Sequence, residues 1–97
     1  MKKHFQELLL DRLNQEQNKL NYFGSLLISI LSTNDTYQTK ALVDLFEELT
    51  DSLSNAYVAI LSCCTPILLE EAVHIVNEVS FMIASFGGTV LKLEEVL

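Results

Sequence analysis

Apolar residues recur at every third or fourth position along almost this entire chain, and little interrupts them. From Phe5 the series Phe5, Leu9, Leu13, Glu16, Leu20, Phe23, Leu27, Ile30 advances by four or three residues at each step. Residues so spaced share one face of an α-helix. The spacing predicts one long amphipathic helix over residues 3–32, with Glu16 the sole polar member of its seam. Gly24 weakens that helix and marks where it would kink. The stretch "STNDT" then reads as a turn, with Asp35 or Thr36 supplying the oxygen that caps the next helix.

The pattern repeats twice more. Leu42, Leu45, Leu49, Leu53, Ala56, Ile60 and one of Cys63 or Cys64 form a second seam, widened by Val43, Phe46, Tyr57 and Leu61. Lys40, Asp44, Glu47, Asp51 and Asn55 occupy the opposite side, so a helix over 36–64 follows. Thr65 stands before a proline, which pushes it out of the helical region and into a capping role. Pro66 suits a first helical position, where its missing N–H costs nothing. Leu68, Ala72, Ile75, Val79, Met82 and Phe86 continue as a third seam, and Gly87-Gly88 reads as its C-terminal stop.

Only three glycines and one proline punctuate 97 residues, of which 49% are apolar. That composition argues against both a disordered chain and an all-β fold. The expectation is an all-α single domain over 1–97. Its architecture is an antiparallel bundle of three long helices, about 3–32, 36–64 and 66–86. "TVLKLEEVL" supplies a short C-terminal helix or a frayed tail.

Charge and cysteine content narrow the function classes. A net charge of −7, with six basic residues scattered along the chain, disfavours nucleic acid, whose phosphates call for clustered Lys and Arg. Two cysteines make no disulfide framework, so a reducing, cytoplasmic setting is expected. His4, Gln6, Glu7 and Asp11 break up any signal-peptide core. The longest uncharged run, Ser52–Leu69, carries Ser52, Ser54, Asn55, Ser62, Thr65 and Pro66, too polar for a good membrane span.

The motifs that could carry chemistry are weak. Adjacent helical residues point about 100° apart, so Cys63 and Cys64 cannot readily share one metal. No second cysteine pair completes a zinc site, and a buried structural thiol is the expected role. Glu71-Ala72-Val73-His74 resembles the Glu-x-x-His of ferritin-like carboxylate bundles, and Glu78 extends the row by one turn. With Ile75 set at the core, however, Glu71, His74 and Glu78 fall on the outer side beside Glu70 and Asn77. They remain weak metal candidates, useful only if a second chain brings its own row to meet them. A phosphate loop and a nucleophile elbow are both missing, so neither an enzyme nor a cofactor is expected.

The informative surplus is apolar surface. The third helix carries a second seam of Leu69, Val73, Val76 and Ile83 beside the first, more than one neighbour needs. "LLISIL" at 26–31 is apolar nearly all round, and Phe81 sits on an otherwise polar side. Self-association as a homodimer is the economical way to cover such surface. The expected function is non-catalytic protein–protein interaction, as an adaptor, inhibitor, immunity or chaperone-like protein whose partner the sequence does not identify. Expected contacts are Leu26, Ile28, Leu31, Tyr57, Phe81 and Phe86. A dimeric metal-binding protein and a small membrane-associated protein are the alternatives.

Overall fold

The recurring apolar spacing folds into three long helices. A computed structural model describes residues 3–62 and 69–97, and these form α1 (Lys3–Thr33), α2 (Tyr37–Ser62) and α3 (Leu69–Val96). All three helices pack against one another, and no strand occurs among the described residues. Cys63, Cys64 and the expected Thr65-Pro66 start of the third helix lie outside the described residues.

Cross-helix contacts set direction and register. Gln6 Nε2 donates to the Ile60 carbonyl at 3.0 Å, supplying a partner to one of the last-turn acceptors that a helix end leaves open. The Phe46 ring lies over Gly24, so α2 runs antiparallel to α1. Arg12 Nη1 donates to Asn77 Oδ1 at 2.7 Å, Ser80 Oγ donates to Glu16 Oε1 at 2.9 Å, and Phe23 covers Gly87. The third helix therefore runs parallel to α1, and the chain goes up, down and up. The result is a rod of 48 × 17 × 15 Å, about as long as α1 itself at ~1.5 Å per residue.

In this register the buried positions form tiers. Leu9, Ile60 and Ala72 sit near one end, and Leu20, Leu49 and Ile83 near the middle. Phe23, Phe46 and Phe86 share the next tier, with the Phe46 and Phe86 ring centroids 6.0 Å apart. The rings are bulky, so the backbone beside them must be slight. Gly24 and Gly87 leave that room, since a Cβ on Gly24 would lie 2.5 Å from the Phe46 ring.

The turn before α2 is held by threonines. Thr39 N donates to Thr36 Oγ1 at 3.3 Å while Thr36 N donates to Thr39 Oγ1 at 2.9 Å, a reciprocal capping arrangement. Thr36 is thus the cap. Thr39 is fully buried, and its hydroxyl also reaches the Asn34 and Thr36 carbonyls at 3.0 and 2.8 Å.

Four expectations are revised. Gly87-Gly88 does not stop α3, which continues to Val96 as one helix rather than ending at 86 before a short fourth. Neither glycine adopts a left-handed backbone, and continuing the helix buries Val90 and Leu93 on the same stripe as Ile83 and Phe86. The core stripe of α3 is Ala72, Val76, Val79, Ile83, Phe86, Val90 and Leu93, and it lies between the two expected seams. Ile75 and Met82 are therefore only half-buried. Leu45, expected in the second seam, sits at the edge of the core with 37% of its surface exposed. The first helix is continuous through Gly24.

Candidate functional site

The three seams between helices are not equally closed. Every cross-helix side-chain hydrogen bond among the described residues has α1 as one partner, through Gln6, Arg12, Asn14 or Glu16. Both glycine notches also involve α1: its Gly24 receives Phe46, and its Phe23 enters the notch at Gly87. The α2–α3 seam has neither device.

Along that seam lie three open clefts of about 740, 240 and 370 Å³, arranged end to end. Ser85 and Thr89 belong to both the first and second, and Met82 to both the second and third, so they form one groove. Its walls are one row from each helix. The row on α2 is Gln38, Leu45, Ser52 and Ala59, and that on α3 is Ile75, Met82, Thr89 and Val96. Each row steps by sevens, the spacing of positions flanking a helical core stripe. Neither row contains a charged residue. Phe81, 73% exposed, stands at the middle of the groove beside Leu45.

The sequence-derived contact residues are not gathered into one place. Ile28 is 68% exposed on α1, whereas Leu26 and Leu31 are half-buried there. Tyr57 is half-buried at the far end of the α1–α2 seam, where its hydroxyl donates to Asn14 Oδ1 and burial pushes its phenol pKa up. Phe86 is 1% exposed and belongs to the chain's own core. Phe81 lies on the groove, and the buried Phe86 ring lines its floor. The groove residues not anticipated are Leu45, Ala59, Met82 and Thr89. The double seam of α3 was their signal, because a stripe too wide for one neighbour must leave one margin uncovered.

Glu71, His74 and Glu78 all face solvent. His74 Nε2 lies 3.5 Å from Glu78 Oε2, an exposed pair one turn apart. Among the described residues no group of three or more His, Cys, Asp or Glu side chains converges as a metal site would require. Glu16 is the sole buried carboxylate among them: Oε1 accepts from Lys19 Nζ at 3.2 Å and from Ser80, while Oε2 has no partner. It opens onto none of the clefts described above, so it is a feature of the core rather than of a ligand site.

By length and composition α3 could cross a membrane, with 33% of its most apolar 18-residue window buried in the bundle. A scan against protein-family models finds no match, and searches of curated proteins and of solved structures find none either.

Proposed function

We propose that this chain acts by binding another protein chain along its α2–α3 seam and catalyses no reaction. The observation that supports this reading is the groove itself. Hydrogen bonds and glycine notches tie α1 to both other helices and leave the α2–α3 seam without either device, with two uncharged rows of residues that run continuously along it. An apolar channel of this kind, rimmed by polar residues, is how helical proteins receive a further helix. The covering chain is a second copy or a different protein.

Site-specific photo-crosslinking in the native host tests it. A crosslinker at Met82 or Thr89 should trap a protein of defined mass, and one at Ser25 on the outer side of α1 should not. Equal trapping at both places would remove the seam as the binding site. Sedimentation velocity identifies the homodimer, which would show a mass twice that of the 10.9 kDa chain.

A second reading, membrane association, has the composition of α3 behind it. Fractionation tests it, and protein recovered wholly without detergent would rule it out.

A further inference from the structure

We infer that the occupant of the α2–α3 groove is a basic amphipathic helix of about 20 residues from a different protein. The inference rests on the protein-binding reading above and adds the chemistry of the partner.

Length comes first. From Ile75 to Val96 the groove follows α3 for about 32 Å, at ~1.5 Å per helical residue, so a helix of some 20 residues would fill it. The floor suits an apolar stripe. Leu45 and Met82 face each other across it, and Ala59 and Ser52 leave shallow notches for larger side chains.

Charge then selects the flanks. On α2, Glu48 is three residues after Leu45 and four before Ser52, which places it on the shoulder above both. Asp44 and Asp51 neighbour Glu48 on the same exposed side. On α3, Glu78 lines the groove between Ile75 and Met82, and Glu71 is exposed one turn before Ile75. Lys92, at the Val96 end, is the only cation among the described residues lining the groove. The two long rows of the groove are thus uncharged, with acidic shoulders along its Ile75 half and Lys92 at its Val96 end. A second copy laid face to face and parallel would bring its own acidic shoulders against these, and like charges so placed work against association, while an antiparallel copy would offer only Lys92 as a counter-charge to Glu71 and Glu78. A helix with leucines in the channel and Lys or Arg along both margins meets Glu48, Glu71 and Glu78 with the opposite sign, and Lys92 is the one like charge it encounters. Lipid headgroups of anionic membranes are repelled by the same shoulders.

A designed peptide tests the inference on the full chain. The probe is a synthetic 20-residue helix with leucines at three- and four-residue spacing and lysines on both flanks. Its control carries glutamates in place of the lysines. The lysine peptide should bind saturably, weaken as salt rises, and shift backbone amide resonances of Leu45, Ser52, Met82 and Thr89 while sparing Asn18 and Ser25. The glutamate peptide should bind at least tenfold more weakly. Asn55→Lys combined with Ser85→Lys, both at exposed positions that leave the core intact, should lower lysine-peptide affinity tenfold or more.

Resonance shifts spread over the acidic residues of α1 would mean simple charge attraction and would overturn the inference. So would equal binding of the two peptides. Self-association of the free chain that Asn55→Lys with Ser85→Lys abolishes would give the groove to a second copy. That result overturns the basic-helix inference and leaves protein binding at the seam in place. Flotation with phosphatidylcholine vesicles would give it to a membrane. Failure of both peptides, together with no trapping at Met82, removes the partner chemistry and the seam at once.

Discussion

Gly87 and Gly88 are neighbours on one helix, and the structure gives them opposite roles. A Cβ on Gly87 would enter the Phe23 ring, whereas one on Gly88 meets nothing within 4 Å. Gly88→Ala should therefore stabilise the fold by about 0.5–1 kcal/mol, the usual gain from replacing an interior helical glycine. Gly87→Ala makes the same backbone gain but must displace the ring, at a cost of about 1–3 kcal/mol, so it should destabilise. Urea midpoints of the two variants check this, and equal signs would show that Phe23 does not occupy the notch. Glu16 supports a second pair of opposed outcomes. It sits in the core seam with 4% of its surface exposed, one oxygen paired and the other not. Glu16→Leu should raise stability by about 1–4 kcal/mol, because the gain from a buried charge's interactions seldom offsets its loss of hydration. Ser80→Ala should lower it by about 1–3 kcal/mol by leaving the carboxylate less satisfied. Glu16 was legible in the sequence as the polar member of an apolar seam. Ser80, its partner, was not, because the contact joins residues 64 positions apart. The Gly87 notch was hidden for the same reason: a Gly-Gly pair near a helix end reads as a stop until the distant ring that needs the space is known.

At the scale of the helices, α1 was readable almost residue for residue, since its stripe has one apolar member per turn and no rival stripe beside it. The third helix was not, because two adjoining stripes satisfy the same period and periodicity alone cannot say which faces inward. The observed core stripe takes Ala72 and Val79 from one and Val76 and Ile83 from the other. That rotation turned Ile75 and Met82 to the margin and produced the groove. On α2, Leu45 left the core for a related reason: Phe46, one residue on, fills the space over Gly24. Tyr57 shows how α2 and α1 are held at the opposite end. Burial raises its phenol pKa, and its hydroxyl donates to Asn14. A raised acid pKa means the folded chain keeps a proton that the unfolded chain releases. Stability from that difference is complete below the ordinary phenol range and is lost as pH rises through the folded-state value. Tyr57→Phe should flatten the fall in stability at strongly alkaline pH and remove the highest-pH contribution of this phenol from the ultraviolet titration. An unchanged alkaline profile would place the cause of that fall elsewhere.

The whole molecule is a rod whose longest open side is the α2–α3 seam. Its Cα radius of gyration is 15.3 Å, against about 12.5 Å expected for a compact chain of this length, so its surface is large relative to its core. Much of that surface is acidic, and this follows directly from composition. Where the uncovered apolar part would lie did not follow, because it depends on which pair of helices the glycine notches draw together. Both notches serve α1, so the longest open seam falls between α2 and α3. The shape makes this testable without identifying a partner. A helix docked in the groove lies parallel to the rod and adds thickness but not length. Small-angle scattering of the chain with the lysine-flanked peptide should show a maximum dimension set by the same 48 Å axis, with a larger cross-sectional radius. Binding at a bundle end would instead lengthen the particle at nearly constant cross-section. The same measurement on a self-associated sample separates side-by-side pairing from end-to-end pairing. Side-by-side pairing that persists in Asn55→Lys with Ser85→Lys would move the contact to another face, with the exposed Ile28 on α1 the next surface to mutate.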